Sequence, residues 1–173
     1  MKWIERLFRY LGIVLAWLMI GLAVLAVSVL ILRYGFGVGS VALQDMVVYL
    51  NSLLVLLGVS VALTANAHVR VDVLSTRWSE QTQALRDLLG VVLLLLPMIG
   101  AIAWCSWDYV ARSWAIHEGS GDAGGFAQVY WVKSLILVGD ALLLLSAIAF
   151  AWRAFLAWRG LDHEMPIEQQ HEL

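Results

Sequence analysis

LGIVLAWLMIGLAVLAVSVLIL, residues 11–32, is an unbroken apolar run without one ionisable side chain. About 20 apolar residues in a helix cross the roughly 30 Å hydrocarbon core of a bilayer. No water reaches the backbone there, so such a run is stable as a helix whose peptide groups bond within the segment. Three further runs are long and apolar enough to cross as well: Met46–Ala65, Leu88–Trp107 and Val132–Trp152, the last holding Lys133 and Asp140. The 173-residue chain is 62% hydrophobic and 14% charged, where soluble domains carry about 45–50% apolar and about 25% charged residues. The expectation is an all-α integral membrane protein: one four-span domain over residues 1–160, then a polar cytoplasmic tail over 161–173.

The first run follows Lys2, Arg6 and Arg9, as the core of a secretion signal would. It is longer than the about 7–15 residues of such a core and lacks a clean small-residue cleavage site, so it reads as a retained span. Trp3, Ile4, Leu7, Phe8 and Leu11 recur at helical spacing with charges between them, which predicts a short interfacial N-terminal helix. Four crossings put the N-terminus, the Asn66–Asp87 connection and the C-terminus on one side. That side carries Lys2, Arg6, Arg9, Arg70, Arg77, Arg86, Arg153 and Arg159; the other carries Arg33, Arg112 and Lys133. The excess of cations predicts that both termini are cytoplasmic.

Several functions are disfavoured at once. A net charge of −2 without a basic tract gives no means of binding nucleic acid. Cys105 is the single cysteine, so neither an internal disulfide nor a multi-thiolate metal site can form; it reads as core filler within span three. His68, His117, His163 and His171 all lie outside the spans, which argues against haem, and no metal or other cofactor is expected. Nothing resembles a nucleophile with its base or a phosphate-cradling loop, so the chain is not expected to be an enzyme.

The connections carry their own signals. Gly35, Gly37 and Gly39 disfavour a continued helix, so the chain should turn there. Ser79 and the polar residues after it suggest a helix start that runs into span three, where Pro97 should introduce a kink. Asp108–Tyr130 is the largest outer connection, and Gly119, Gly121, Gly124 and Gly125 predict a mobile centre. The tail from Leu161 is polar, acid-rich and expected to be disordered.

The polar residues in and beside the spans are the candidate sites. Asp140 lies in mid-span four, where an unpaired carboxylate costs about 2.5–3.5 kcal/mol on insertion scales. It serves either a proton or ion relay or a hydrogen bond to Asn51, Ser52 or a partner protein. The hydrogen bond is the better reading, since a relay ordinarily needs a second intramembrane acid. Lys133 is about two turns away on the same helix, too far to pair with it. Gln44 and Asp45 open span two and either cap that helix or dock a partner. His68-Val-Arg70-Val-Asp72 follows the same span. If extended, it puts its three polar groups on one face; the alternative is an ordinary polar turn with a snorkelling cation. The outer loop carries Ser113-Trp114, Glu118, Ser120 and Asp122, without the ligand ladder of a calcium loop. It is either a plain connection or a surface for an external partner.

Taken together, these residues resemble the small membrane subunit (DctQ type) of tripartite ATP-independent periplasmic, or TRAP, transporters. The likeness rests on Gln44-Asp45, Gly58, His68-Val-Arg-Val-Asp72, Leu96-Pro97, Ser113-Trp114, Glu118, Ser120 and Lys133, and covers roughly residues 5–158. Many relatives have glutamate where Asp45 stands, and Asn66-Ala67 replaces a more basic or glycine-containing approach to the histidine. The resemblance implies a scaffold in the bacterial inner membrane, surrounded by lipid, that carries no substrate itself. A larger, elevator-type, sodium-coupled subunit would move an organic acid (a carboxylate, keto acid or sulfonate) delivered by a periplasmic binding protein. Gln44, Asp45, Glu118, Ser120 and Lys133 would then face either partner, and His68, Arg70 and Asp72 would pin the cytoplasmic end of span two. Two rival readings are a self-sufficient four-helix transporter acting as an oligomer and a membrane anchor of a redox complex. The first lacks the expected acid in span one, the second any in-span histidine.

Overall fold

In a computed structural model, which describes residues 2–64 and 80–160, the described part of each apolar run is helical. α1 covers Lys2–Gly35, α2 Val41–Thr64, α3 Glu80–Gly90, α4 Leu96–Ala115 and α5 Val129–Trp158. A π-turn, Val91–Leu95, joins α3 to α4, so the third crossing is continuous. Four helices are long and apolar enough to cross a membrane, and no strand occurs among the described residues. The chain is an all-helical, multi-pass membrane protein. Ser79, the His68–Asp72 segment, the last residue of the expected second span (Ala65) and the tail from Leu161 lie outside the described residues.

The amphipathic N-terminus is helical as expected, but it is no separate element. α1 runs unbroken from Lys2 because no proline or polar break separates Arg9 from the apolar run. At about 1.5 Å per residue it is about 51 Å long, well beyond a hydrocarbon core. It stops where the glycines begin: Val38 N donates to Leu32 O at 2.9 Å across Gly37, which takes φ 68°, a left-handed turn that glycine adopts without strain. Ser40 then starts α2, its Oγ accepting from Leu43 N at 3.4 Å, and the helix begins ahead of the apolar run.

The kink expected at Pro97 is realised as the π-turn before it. A proline ring collides with the carbonyl four residues back. Here Leu96 N donates to Val91 O, five residues back, and the wider turn opens the helix ahead of the ring.

α1 packs on α2, α2 on α5, and α5 on both α3 and α4. Since α2 and α5 descend from the same end, the central pair is parallel. One third of the most apolar stretch of α5 is buried inside the protein, against 6% for α1, so α5 is the hub. Leu63, Val91, Ile99, Leu143 and Ala147 form a buried cluster, with Leu95, Leu96, Phe150 and Ala151 against it. α4 has α5 as its main neighbour and is bare elsewhere. Cys105 is therefore exposed, not core filler, and Trp104 is 85% exposed.

Spans gain little from apolar contact with one another when lipid is equally apolar, so close packing must hold them. Gly139 supplies it. A Cβ there would stand 3.0 Å from Leu56 O and 3.1 Å from Leu56 Cβ, so α5 meets the backbone of α2 directly. Buried Ser60 and Ser146 bond carbonyls of their own helices, Leu57 O at 2.7 Å and Leu143 O at 2.9 Å. Gly139→Ala should destabilise the protein by about 1–3 kcal/mol, the usual cost of overpacking. Gly21→Ala, where a Cβ meets nothing within 4 Å, should be neutral or stabilising by up to about 1 kcal/mol through helix propensity. Thermal unfolding of the two variants in mild detergent checks the opposite signs.

Candidate functional site

The sequence-predicted residues converge at the end of the molecule that carries the α4–α5 loop. α2 begins there with Ser40, which places Asp45 in its second turn rather than at its cap. Asp45 Oδ2 accepts from Phe126 N in the loop at 2.9 Å, and the Tyr49 ring meets that of Phe126 edge-on at 5.8 Å. Capping therefore belongs to Ser40; Asp45 clamps the loop. Gln44 lines a separate small recess with Val29, Leu32, Arg33 and Val38 near the end of α1.

The loop itself is tied down, in contrast to the mobile centre its glycines predict. Ser120 N donates to Phe126 O at 2.8 Å, Gly125 N to Asp122 O at 3.0 Å, and Val129 N to Glu118 O at 3.0 Å. A Cβ on Gly125 would collide with the Ser120 side chain and come within 2.7 Å of Asp45 Oδ2. Glycine is thus what lets the loop close over the carboxylate.

A second clamp joins the loop to α5. Lys133 Nζ donates to Glu118 Oε2 at 2.5 Å and lies 4.1 Å from the centre of the Tyr109 ring on α4, a cation–π contact. The hydrogen bond from Lys133 holds the Glu118 carboxyl below the usual carboxylate range. Trp114 Nε1 donates to Ser134 Oγ at 2.7 Å, and Trp114 packs edge-on against Tyr130 and Trp131. The Asp108–Arg112 pair, 3.8 Å apart and largely exposed, adds little to stability.

Asp45, Glu118, Ser120 and Lys133 are thus brought together with Gly125, read from sequence only as a source of mobility, and with Phe126 and Tyr109, which the sequence reading did not single out. A lone aromatic within a glycine-rich loop was the available signal for Phe126; Tyr109 had none, as its role depends on where α5 lies. His68, Arg70 and Asp72 are outside the described residues. Asp140 is buried on α5 and makes no hydrogen bond among the described residues. The bond expected to Asn51 or Ser52 is absent: the Ser52 hydroxyl donates to Val48 O at 2.8 Å, and Asn51 faces outward. Among the described residues no cluster of His, Cys, Asp or Glu could hold a metal ion.

The fold and this site together define a multi-pass helical membrane protein with a hydrogen-bonded loop at one end. Residues 22–157 match the family of tripartite ATP-independent periplasmic transporters, DctQ component. The chain belongs to that family and is the small membrane component of a TRAP transporter. No individual curated protein matches it.

Asp45→Ala leaves the half-buried Phe126 N–H without an acceptor, a loss of about 1–3 kcal/mol. Hydrogen exchange at the amides of Ser120 and Phe126 should quicken, while α2 and α5 keep their protection. The Glu118–Lys133 clamp should also respond to acid. Because the folded carboxyl titrates below its usual range, its stabilisation is complete above that range and fades as pH falls through the lowered value. Protection of the loop amides, taken relative to their intrinsic exchange rate at each pH, should therefore fall only in acid, and Glu118→Gln should abolish that pH dependence; an unchanged acid response in the variant would discount the clamp.

Proposed function

We propose that this chain is the scaffold subunit of a sodium-coupled TRAP importer of an organic acid, namely a carboxylate, keto acid or sulfonate. It lies in the bacterial inner membrane with both termini cytoplasmic and residues 116–128 in the periplasm. It braces a large elevator-type subunit and helps receive a periplasmic substrate-binding protein. The observation that carries this reading is the scarcity of charge within the spans. Residues 11–32, 46–64 and 88–107 hold none; residues 132–152 hold Lys133 and Asp140, and Lys133 is engaged by Glu118. A route for an organic anion and its cation needs polar groups through the depth of the bilayer. Four helices this apolar support a pathway in a neighbour far better than they form one.

Family membership and the clamped loop support the docking role. A loop held by Asp45 and Lys133 presents a preformed surface, so a partner that binds it loses little entropy in ordering it. Glu118, Ser120 and the exposed turn at Gly121–Gly124 form that surface. At the opposite end, His68, Arg70 and Asp72 pin the close of span two, through a local polar network or against the large subunit.

Reconstituted alone in liposomes, the chain should pass no organic acid under a sodium gradient. With the large subunit and the binding protein it should support saturable, sodium-dependent uptake. Gradient-driven flux by this chain alone would overturn the scaffold role. In a pull-down from mild detergent, Arg70→Ala or Asp72→Ala should recover less of the large subunit. Glu118→Ala should leave that recovery intact and weaken the response to the binding protein.

A further inference from the structure

Asn51 has no part in the machinery described above, yet it occupies a costly position. It lies five residues into the apolar run that starts at Met46, about 7.5 Å along the helix and so within the hydrocarbon, and its side chain is exposed. Among the described residues its carboxamide makes no hydrogen bond. The contrast with neighbouring hydroxyls is direct: Ser28, Ser52 and Ser60 each donate to a carbonyl three or four residues back on the same helix. A carboxamide has two donors and an acceptor, which one carbonyl of its own helix cannot satisfy. Lipid tails offer no partner at all, so hydrocarbon strongly disfavours this group as it stands.

The surroundings of Asn51 separate it from the contacts already described. α2 meets α1 where Gly12 approaches Val61, and meets α5 where Leu56 approaches Gly139. Asn51 instead shares a helix face with Val55 and Val59, one and two turns further on, and both valines are exposed at 57% and 39%. This is a third face of the central helix, and the protein leaves it uncovered. Its occupant must bring hydrogen-bonding groups into the hydrocarbon at the depth of Asn51. A protein span can do this and an acyl chain cannot, since polar side chains between spans act as glue. A chain that is one component of a tripartite transporter has another membrane component to supply that span.

We infer that the Asn51 face of α2 docks a transmembrane helix of the large subunit, one that presents a carboxamide, hydroxyl or free carbonyl opposite Asn51. This rests on the reading of the chain as a scaffold for that subunit. The test uses both membrane subunits co-expressed in native membranes, with a photo-crosslinking amino acid at Val55 and separate Asn51 variants. The Val55 crosslink should contain the large subunit. Asn51→Leu, which suits lipid and so preserves insertion, should reduce recovery of the large subunit with the tagged chain roughly three- to twentyfold, and Asn51→Gln should restore part of it. Adducts to lipid alone, adducts to a second copy of this chain, or undiminished recovery by Asn51→Leu would each overturn the assignment. If the wild-type chain itself retains no large subunit, the scaffold reading fails, and this inference fails with it.

Discussion

Backbone contact between α5 and α2 at Gly139 and Leu56 is the constraint on which the rest of the molecule depends. Lipid removes the hydrophobic gain that would drive two such helices together in water, so their association rests on how closely they fit. Glycine permits the approach, and it aligns two parallel helices that the chain joins only through the intervening third crossing. With α2 and α5 set side by side, their first turns emerge at one end at a fixed spacing. Asp45 on one and Lys133 on the other can then hold the same loop.

That loop shows how polar chemistry is used sparingly. Asp45 spends its charge on a backbone N–H, and Glu118 spends its own on Lys133, which also lies over Tyr109. Each carboxylate satisfies a group that would otherwise sit at the membrane edge without a partner. The result is a preformed surface at one end and apolar helices behind it.

The helices were legible because a bilayer imposes one strict rule, internal satisfaction of every peptide group, and apolar runs of the right length answer it in only one way. Element boundaries were less so. Ser40 and Gly37 set the turn between α1 and α2, and the apolar run gave no warning that α2 begins ahead of Met46. Asp45 looked equally suited to cap or dock while its helix start was unknown, and Cys105 looked buried while the exposed faces of α4 were unknown. The glycines of the loop suggested mobility, since sequence records their freedom but not the hydrogen bonds that remove it.

Composition and run length by themselves determined a multi-pass helical protein with almost no charge inside the membrane. The order of helices across the layer was decided only in three dimensions, as was the partner of each polar group. Asp45 found Phe126, Lys133 found Glu118, and Asn51 found no partner among the described residues. The physical reason is range: hydropathy acts on each segment separately, whereas a hydrogen bond between residues 45 and 126 exists only once close packing has brought their helices to the same place.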